Sequence, residues 1–241
     1  MFKITHDGRI HHPLGGGSYV WKKNYVDYIL GQLAEKNEIK ISIGVQPNGS
    51  PHFGTLTSLS LSFSLVKQFK EKGKKVSVVL EAVDTAPEQN ITINGKKYQK
   101  SLAYTGSINK YINEYEELLE KLSLYSGGID FEIRMQGDLL GSSKRGGETI
   151  EKIMKERQFV SSFLAPETNL LALRAPCPNC GLTDKHGIDN VYEGNKISFL
   201  CPDHGRYFLN MGVKREMEVL EYNTPLRSLL ESLVYQVLNY L

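Results

Sequence analysis

Hydrophobic and polar positions repeat with two periods along the first part of the chain. Apolar residues recur at helical spacing over 21–33 and again over 55–72, which predicts two helices. An alternating run over 39–45 and an apolar run over 76–80 predict two strands, and Gly73 is a natural helix stop. A strand, a loop, a helix and a second strand in this length are typical of a βαβ unit, which closes a parallel sheet.

The rest of the chain continues this mixture with less regular patterns. We predict further helices over 107–124 and 148–164, a third strand over 129–135, and a mostly amphipathic helix over 216–241. Residues 85–106 are predicted to be a polar excursion, a mostly polar segment outside the main fold, with a turn at Asn94-Gly95. Residues 137–147 are predicted to form a basic, Gly/Ser-rich loop.

Composition narrows the class of protein. The 241 residues carry 29 Lys plus Arg and 27 Asp plus Glu, and this near balance argues against a histone-like nucleic-acid binder. No apolar run is long enough for a membrane span, and no secretory signal is expected. Three cysteines, an odd number, argue against a disulfide scaffold and fit a cytoplasmic protein.

A loop rich in Gly and Pro lies between the first predicted strand and the next helix, where α/β folds place ligand sites. It holds Gly44, Pro47, Gly49, His52, Gly54 and Thr55. The glycines let the backbone approach a ligand, and the N-terminus of the following helix favours a phosphate. His52 can donate a hydrogen bond to a phosphate oxygen and can carry positive charge. A plain Pro/Gly turn with a chance histidine is the alternative.

The cysteines form a second motif, Cys-x2-Cys-x20-Cys-x2-His. Its members are Cys177, Cys180, Cys201 and His204. Three thiolates and one imidazole at this spacing predict a closed tetrahedral Zn²⁺ site, which is structural because no position remains for a water. The alternative is a redox Cys-x-x-Cys with an unrelated third cysteine.

The Pro47-x-Gly49-x-x-His52-x-Gly54 stretch resembles the HIGH-type signature of class I aminoacyl-tRNA synthetases, and wider features resemble the class I lysyl-tRNA synthetase family. These features are the Trp21–Leu33 helix, the strand ending in Gly44, acidic Glu81 and Asp84 at the next strand end, and the Cys-x-x-Cys insertion. The order agrees from about residue 20 to about residue 230.

This resemblance implies an α/β fold with a Rossmann-like parallel sheet, helices on both faces and a zinc-ribbon insertion. Its parts would be a flexible 1–18, a nucleotide-binding domain over 19–170, a zinc ribbon over 171–210 and a C-terminal helical segment over 211–241. His52 and Thr55 would act in catalysis, and the loop residues from Gly44 to Thr55 would bind ATP with Mg²⁺. Glu81, Asp84 and Tyr111 would contact the substrate.

The sequence also departs from the family pattern. Thr55 stands where the family usually has His or Asn, and Glu81-Ala82-Val83-Asp84 replaces consecutive acidic residues, so the amino acid need not be lysine. We find no KMSKS-type lysine loop after the cysteines, and 205–241 leave no room for an anticodon-binding domain.

The leading expectation is a synthetase-like enzyme that activates an amino acid as an aminoacyl-adenylate. The tRNA 3′ end and a non-translational molecule are both candidate acceptors. Two alternatives stay open: a non-catalytic or split module that binds tRNA or a partner chain, and a nucleotidyltransferase of the same superfamily. The apolar residues of 224–241 either dock on their own domain or meet a second chain or another copy.

Overall fold

The computed structural model describes residues 25–138 and 144–211, together with 213, 216, 218–222, 226–227, 229–230 and 233. The helices are α1 Tyr25–Gln32, α2 Phe53–Glu71, α3 Leu102–Thr105, α4 Ile108–Tyr125, α5 Lys144–Lys155 and α6 Arg157–Leu164. The strands are β1 Glu38–Val45, β2 Lys75–Ala82, β3 Pro87–Ile93, β4 Lys96–Ser101, β5 Asp130–Met135, β6 Thr183–Asp184, β7 Val191–Glu193, β8 Lys196–Cys201 and β9 Gly205–Asn210.

The chain divides into two compact units whose segments interleave in sequence. The described parts of the first are 25–45, 50–81 and 113–133, and the second holds 46–49, 82–112 and the described residues from 134 onward. Among the described residues, no helix combines the length and the apolarity that crossing a bilayer requires.

The first unit is built on a three-stranded parallel sheet in the order β1-β2-β5. Helix α2 connects β1 to β2 and buries one stripe, consisting of Thr55, Leu59, Phe63, Val66 and Phe69. These positions recur every three to four residues, so they lie on one face of the helix and share a hydrophobic core with β2 and α4. Helix α2 ends at Glu71, and Gly73 follows at φ +83°, a backbone conformation that favours glycine.

The second unit contains two small sheets and a larger core. The sheets have the orders β3-β4-β6 and β7-β8-β9, and the strand pairs β3–β4, β4–β6, β7–β8 and β8–β9 are antiparallel. Its core gathers buried side chains from α5, from the segment before the cysteines, from β8 and from the region after β9. These are Ile150, Ile153, Leu171, Leu173, Ala175, Ile197, Phe199, Met211, Leu220, Tyr222, Leu226 and Leu230.

Most of the predicted regular elements are confirmed. The strands at 39–45, 76–80 and 129–135 and the helices at 55–72 and 107–124 match β1, β2, β5, α2 and α4 within a few residues. The first predicted helix is present from Tyr25, and Trp21 lies outside the described residues. The coarse fold class, mixed α/β with a parallel sheet, is therefore correct.

Two predicted segments differ from the structure. Residues 85–106 were predicted to be a polar excursion, but β3 and β4 form a hairpin whose turn, Asn94-Gly95, has φ of +49° and +77°. The turn is confirmed, whereas the strands were missed because they carry mostly polar side chains and so lack a clear period of two. The predicted helix 148–164 is two helices, α5 and α6, which meet at Glu156.

Several predictions fall partly or wholly on residues outside this description. The flexible start 1–18 and residues 139–143 of the predicted basic loop 137–147 belong here. Its last residues, Lys144 to Gly147, were predicted as loop but are the first turn of α5. In the C-terminal segment, Leu226 and Leu230 are buried, and Leu229 and Leu233 pack against the same core of the second unit. These contacts are those expected of a segment that docks on its own chain.

Candidate functional site

The three cysteines and His204 form one cluster in the second unit. Their four ligand atoms all lie within 4.8 Å of one another. Cys180 Sγ and Cys201 Sγ are 3.6 Å apart, and His204 Nδ1 lies 3.7 Å from Cys177 Sγ and 3.5 Å from Cys201 Sγ. The motif predicted from spacing is therefore brought together in space.

These separations match a tetrahedral metal site. Zn–S bonds of about 2.3 Å and Zn–N bonds of about 2.0–2.1 Å at tetrahedral angles place sulfurs about 3.8 Å apart and sulfur and nitrogen about 3.6 Å apart. Three of the six ligand-atom separations are within about 0.2 Å of these values, and all four atoms lie within 4.8 Å of one another. The Cys3His cluster could thus bind a metal such as zinc.

Two tight turns present the ligands. In the first, Gly181 N–H donates to Cys177 O at 2.8 Å, and Gly181 has φ +73°. The second turn joins β8 to β9, where Cys201 is paired with Gly205 at φ +74°. Glycine at both positions lets the backbone reverse around a metal without a β-carbon in a strained conformation. The cluster is half shielded, since Cys177 and Cys201 are buried and His204 is exposed.

The thiols of the cluster differ in acidity. Burial raises the pKa of the Cys201 thiol to about 11. Burial acts in the same direction on Cys177, but the backbone N–H groups of Asn179 and Cys180 hold the pKa of that thiol below its usual value. A dication at the centre would stabilise all three thiolates, because a metal cation favours the charged form of each sulfur.

His52 is the N-cap of α2 in the first unit. Its Nδ1 atom accepts the N–H groups of Gly54 at 3.1 Å and Thr55 at 3.4 Å. Because Nδ1 accepts these bonds, the ring N–H donor is on Nε2. The exposed side chain satisfies two N–H groups at the start of the helix, and its Nε2–H faces Thr55 Oγ1 at 3.4 Å, a long contact that a ligand oxygen would replace.

The side chain of Thr55 contacts the imidazole of His52. Its side chain is buried, and Oγ1 lies 3.4 Å from His52 Nε2. The same hydroxyl hydrogen-bonds Tyr115 of α4, while burial raises the pKa of that tyrosine. Thr55 therefore links the cap to the core of the first unit.

The remaining loop residues lie where the motif predicts them in sequence. Gly44 is in β1, and Pro47 and Gly49 belong to the connection between β1 and α2. A β-carbon at Gly44 or Gly49 would meet no atom within 4 Å, so internal packing does not explain either glycine. Gly54 is different, because a β-carbon there would lie 3.0 Å from His52 Cε1.

The three residues predicted to contact the substrate bond to, or pack against, other groups of the protein. Glu81 is buried in β2 and accepts a hydrogen bond from Ser42 Oγ at 3.3 Å. Asp84 accepts the N–H of Gly137 at 3.1 Å, and burial raises the pKa of its carboxyl. Tyr111 packs partly buried in a small apolar cluster, with Lys110 Nζ 5.1 Å from its ring centre.

The sequence patterns did not predict a buried polar network that the second unit contains. Arg174 and Glu221 exchange both backbone hydrogen bonds, at 3.0 and 2.8 Å, and Arg174 Nε lies 3.9 Å from Glu221 Oε2. Gln99 Nε2 donates to the same carboxylate oxygen at 3.2 Å. Burial raises the pKa of Glu221, against the attraction of Arg174. No short motif marks these residues, because they come from three distant segments.

Comparison of the sequence with protein-family models and with curated proteins finds no match.

Proposed function

We propose that this chain is an ATP-dependent enzyme that activates the carboxylate of an amino acid as an acyl-adenylate, in the manner of class I aminoacyl-tRNA synthetases. The observation that carries the proposal is the arrangement of His52 at the start of α2. The Pro47-x-Gly49-x-x-His52-x-Gly54 loop leaves a strand of a parallel sheet, and an exposed Nε2–H donor stands at a helix N-terminus. Both features suit the binding of a phosphate group.

The reaction requires no side-chain nucleophile. A carboxylate oxygen of the amino acid attacks the α-phosphorus of ATP, a new P–O bond forms, and the bond to the leaving pyrophosphate breaks. His52 donates its Nε2–H to a phosphate oxygen that gains charge, in place of the long contact to Thr55 Oγ1, while Nδ1 accepts the helix N–H groups and holds the ring. Mg²⁺ accompanies the nucleotide and neutralises part of its charge.

We further propose that the Cys3His cluster holds Zn²⁺ as a structural ion in a zinc ribbon. Cys177, Cys180, Cys201 and His204 would complete four-coordinate geometry, with no position left for a catalytic water. The ion would crosslink the turn after Cys177 to the hairpin of β8 and β9. Its contribution is to folding of the second unit rather than to the chemical step.

The test is amino-acid-dependent exchange of labelled pyrophosphate into ATP, screened over the common amino acids with zinc-loaded protein. Exchange with one amino acid supports the proposal and identifies the substrate. The absence of exchange with every amino acid, in protein that is folded and metal-loaded, would contradict it and favour a binding module.

Two variants of His52 separate its catalytic role from its capping role. His52→Asn keeps a side-chain oxygen that accepts the helix N–H groups, and it removes the ring Nε2–H. We expect this variant to keep its stability and lose roughly 100-fold to 1,000-fold in exchange rate. His52→Ala should lose the rate and also about 0.5–2 kcal/mol of stability. The control is His186→Asn, because His186 is exposed and outside the loop.

A further inference from the structure

A cavity of about 270 Å³ lies within the second unit, apart from the metal ligands. Its polar lining consists of Gln46, Thr85, Gln99, Arg174, Lys185 and Arg227, and much of the remaining wall is apolar. Three of these six side chains are cationic, although the protein as a whole is nearly neutral. Concave sites with a few converging polar groups are where small molecules bind.

Arg174 is the fixed part of this lining. Its side chain is only 12% exposed, and it donates to Lys185 O at 3.2 Å and to Tyr222 O at 3.0 Å. Glu221, 3.9 Å from Arg174 Nε, compensates its charge in part. Because the two backbone carbonyls hold the guanidinium in place, its orientation is set before any ligand arrives.

The other two cations have no such compensation. Lys185 Nζ donates to the neutral amide oxygen of Asn90 at 2.9 Å. Arg227 lies close enough to Arg174 for its charge to lower the pKa of that guanidinium. Within the part of the chain that the structure describes, neither Lys185 nor Arg227 forms an ion pair with a carboxylate. The cavity wall therefore presents three cationic side chains, whereas the carboxylates of Glu221, Asp184 and Asp84, which act on Arg174 or Glu221, do not line it. An anion bound in the cavity would face these cations directly.

The volume limits the size of that anion. The cavity opens to solvent, and at about 270 Å³ it is near the lower end of the roughly 300–1,000 Å³ that ligand pockets enclose. It suits a small metabolite. Arginine favours carboxylate and phosphate groups because its planar donors match their oxygens in pairs.

We propose that this cavity binds a small organic dianion, a dicarboxylate or a phosphate monoester. Arg227 and Lys185 supply the attracting charge, Arg174 is a fixed donor, and Gln46, Thr85 and Gln99 add neutral hydrogen-bonding groups. The site shares Gln46 with the loop between β1 and α2, but it goes beyond the proposed adenylation because Arg174, Lys185 and Arg227 have no part in that reaction.

Isothermal titration calorimetry of the full chain tests the proposal at constant ionic strength, without ATP or amino acid. Succinate and glycerol 3-phosphate are the dianionic probes, and succinamide is the neutral isostere of succinate. We expect at least one dianion to bind at least tenfold more tightly than succinamide. Tight binding of succinate identifies a dicarboxylate site, and tight binding of glycerol 3-phosphate identifies a phosphate-ester site.

Charge-removing variants locate the binding. Arg227→Gln should weaken dianion affinity at least tenfold and Lys185→Gln several-fold, whereas Lys97→Gln should leave it within twofold. Lys97 is the matched control because it is an exposed lysine of the same unit that does not line the cavity. The proposal is overturned if both dianions bind no better than succinamide, or if the two cavity variants bind as the control does. Either result is independent of pyrophosphate exchange, so the two proposals fail separately.

Discussion

The ring of Tyr104 lies directly against the backbone of Gly181, the residue that follows the metal ligand Cys180. A β-carbon at position 181 would be 2.0 Å from Tyr104 Cε1, and Gly181 also has φ +73°. Both the space and the backbone conformation therefore require glycine. This contact joins α3 to the first turn of the metal cluster within the second unit.

Gly181→Ala should therefore destabilise the protein by about 2–3 kcal/mol, from backbone strain plus displacement of the tyrosine ring. Urea unfolding of the zinc-loaded protein measures the loss. Gly205→Ala is the matched control, because Gly205 has φ +74° with no atom within 4 Å of a β-carbon. It should lose only about 1–2 kcal/mol. Equal losses in the two variants would show that the Tyr104 contact has no energetic role.

Removal of the metal should unfold much of the second unit. A second, smaller apolar cluster of this unit contains Cys177 and Cys201 beside Tyr98 and Leu182, so loss of the ion leaves buried thiols without their crosslink. We expect a chelator, or Cys177→Ser, to cost at least about 5 kcal/mol and to lower Tm by roughly 10–20 °C. Zinc content by elemental analysis and thermal unfolding by circular dichroism measure the two effects.

The matched pair for this prediction is His204→Ala and His186→Ala. Only His204 belongs to the cluster, so only the first variant should lose zinc. A wild-type protein that purifies without metal and melts unchanged in chelator would rule out a structural zinc.

Gly54 should be needed for the position of His52. Since a β-carbon at Gly54 would lie 3.0 Å from His52 Cε1 and 3.2 Å from Nδ1, alanine there presses on the imidazole, which must shift by a few tenths of an ångström. We expect Gly54→Ala to lower the pyrophosphate exchange rate at least tenfold while changing stability by less than about 1 kcal/mol. Gly31→Ala in α1, where a β-carbon meets nothing within 4 Å, should leave the rate unchanged. An unchanged rate in Gly54→Ala would show that the exchange activity does not depend on the position of the imidazole.

Short-range patterns in the sequence predicted the elements whose signals are local. Helix α2 has one apolar face and ends before a glycine, and β2 is a nearly continuous apolar run, so both could be located without the structure. The hairpin of β3 and β4 could not, because its pairing depends on neighbours such as β6, which lies more than eighty residues further along the chain.

The same distinction applies to the sites. The metal ligands come in two pairs, each spanning four residues, so their spacing alone indicates a shared ion. Arg174, Lys185 and Arg227 carry no such signal, because single cations in separate segments are usually solvated. Tertiary pairing brings them together, through the Arg174–Glu221 bridge and the β4–β6 pairing that positions Lys185.

Asp184 should make the stability of the second unit depend on pH in the acid range. Its carboxylate accepts the N–H groups of His186 at 2.9 Å and Ile188 at 3.1 Å and lies 3.0 Å from Lys96 Nζ. Burial acts to raise the pKa of Asp184, but the His186 N–H and Lys96 outweigh it, and the pKa lies below its usual value of 3.8. The ionised form therefore stabilises the folded state above about pH 4, and this contribution is lost as the pH falls through the lowered pKa.

Asp184→Asn should accordingly cost about 1–3 kcal/mol at pH 7, and the difference from wild type should shrink as the pH falls below 3.8. Urea unfolding from pH 7 to pH 3 measures it, and zinc content determined at each pH restricts the comparison to the range in which both proteins keep their metal. Asp130→Asn, at an exposed position of β5, should differ little from wild type at any pH. A difference between wild type and Asp184→Asn that stays constant down to pH 3 would mean that the carboxylate charge does not stabilise this turn.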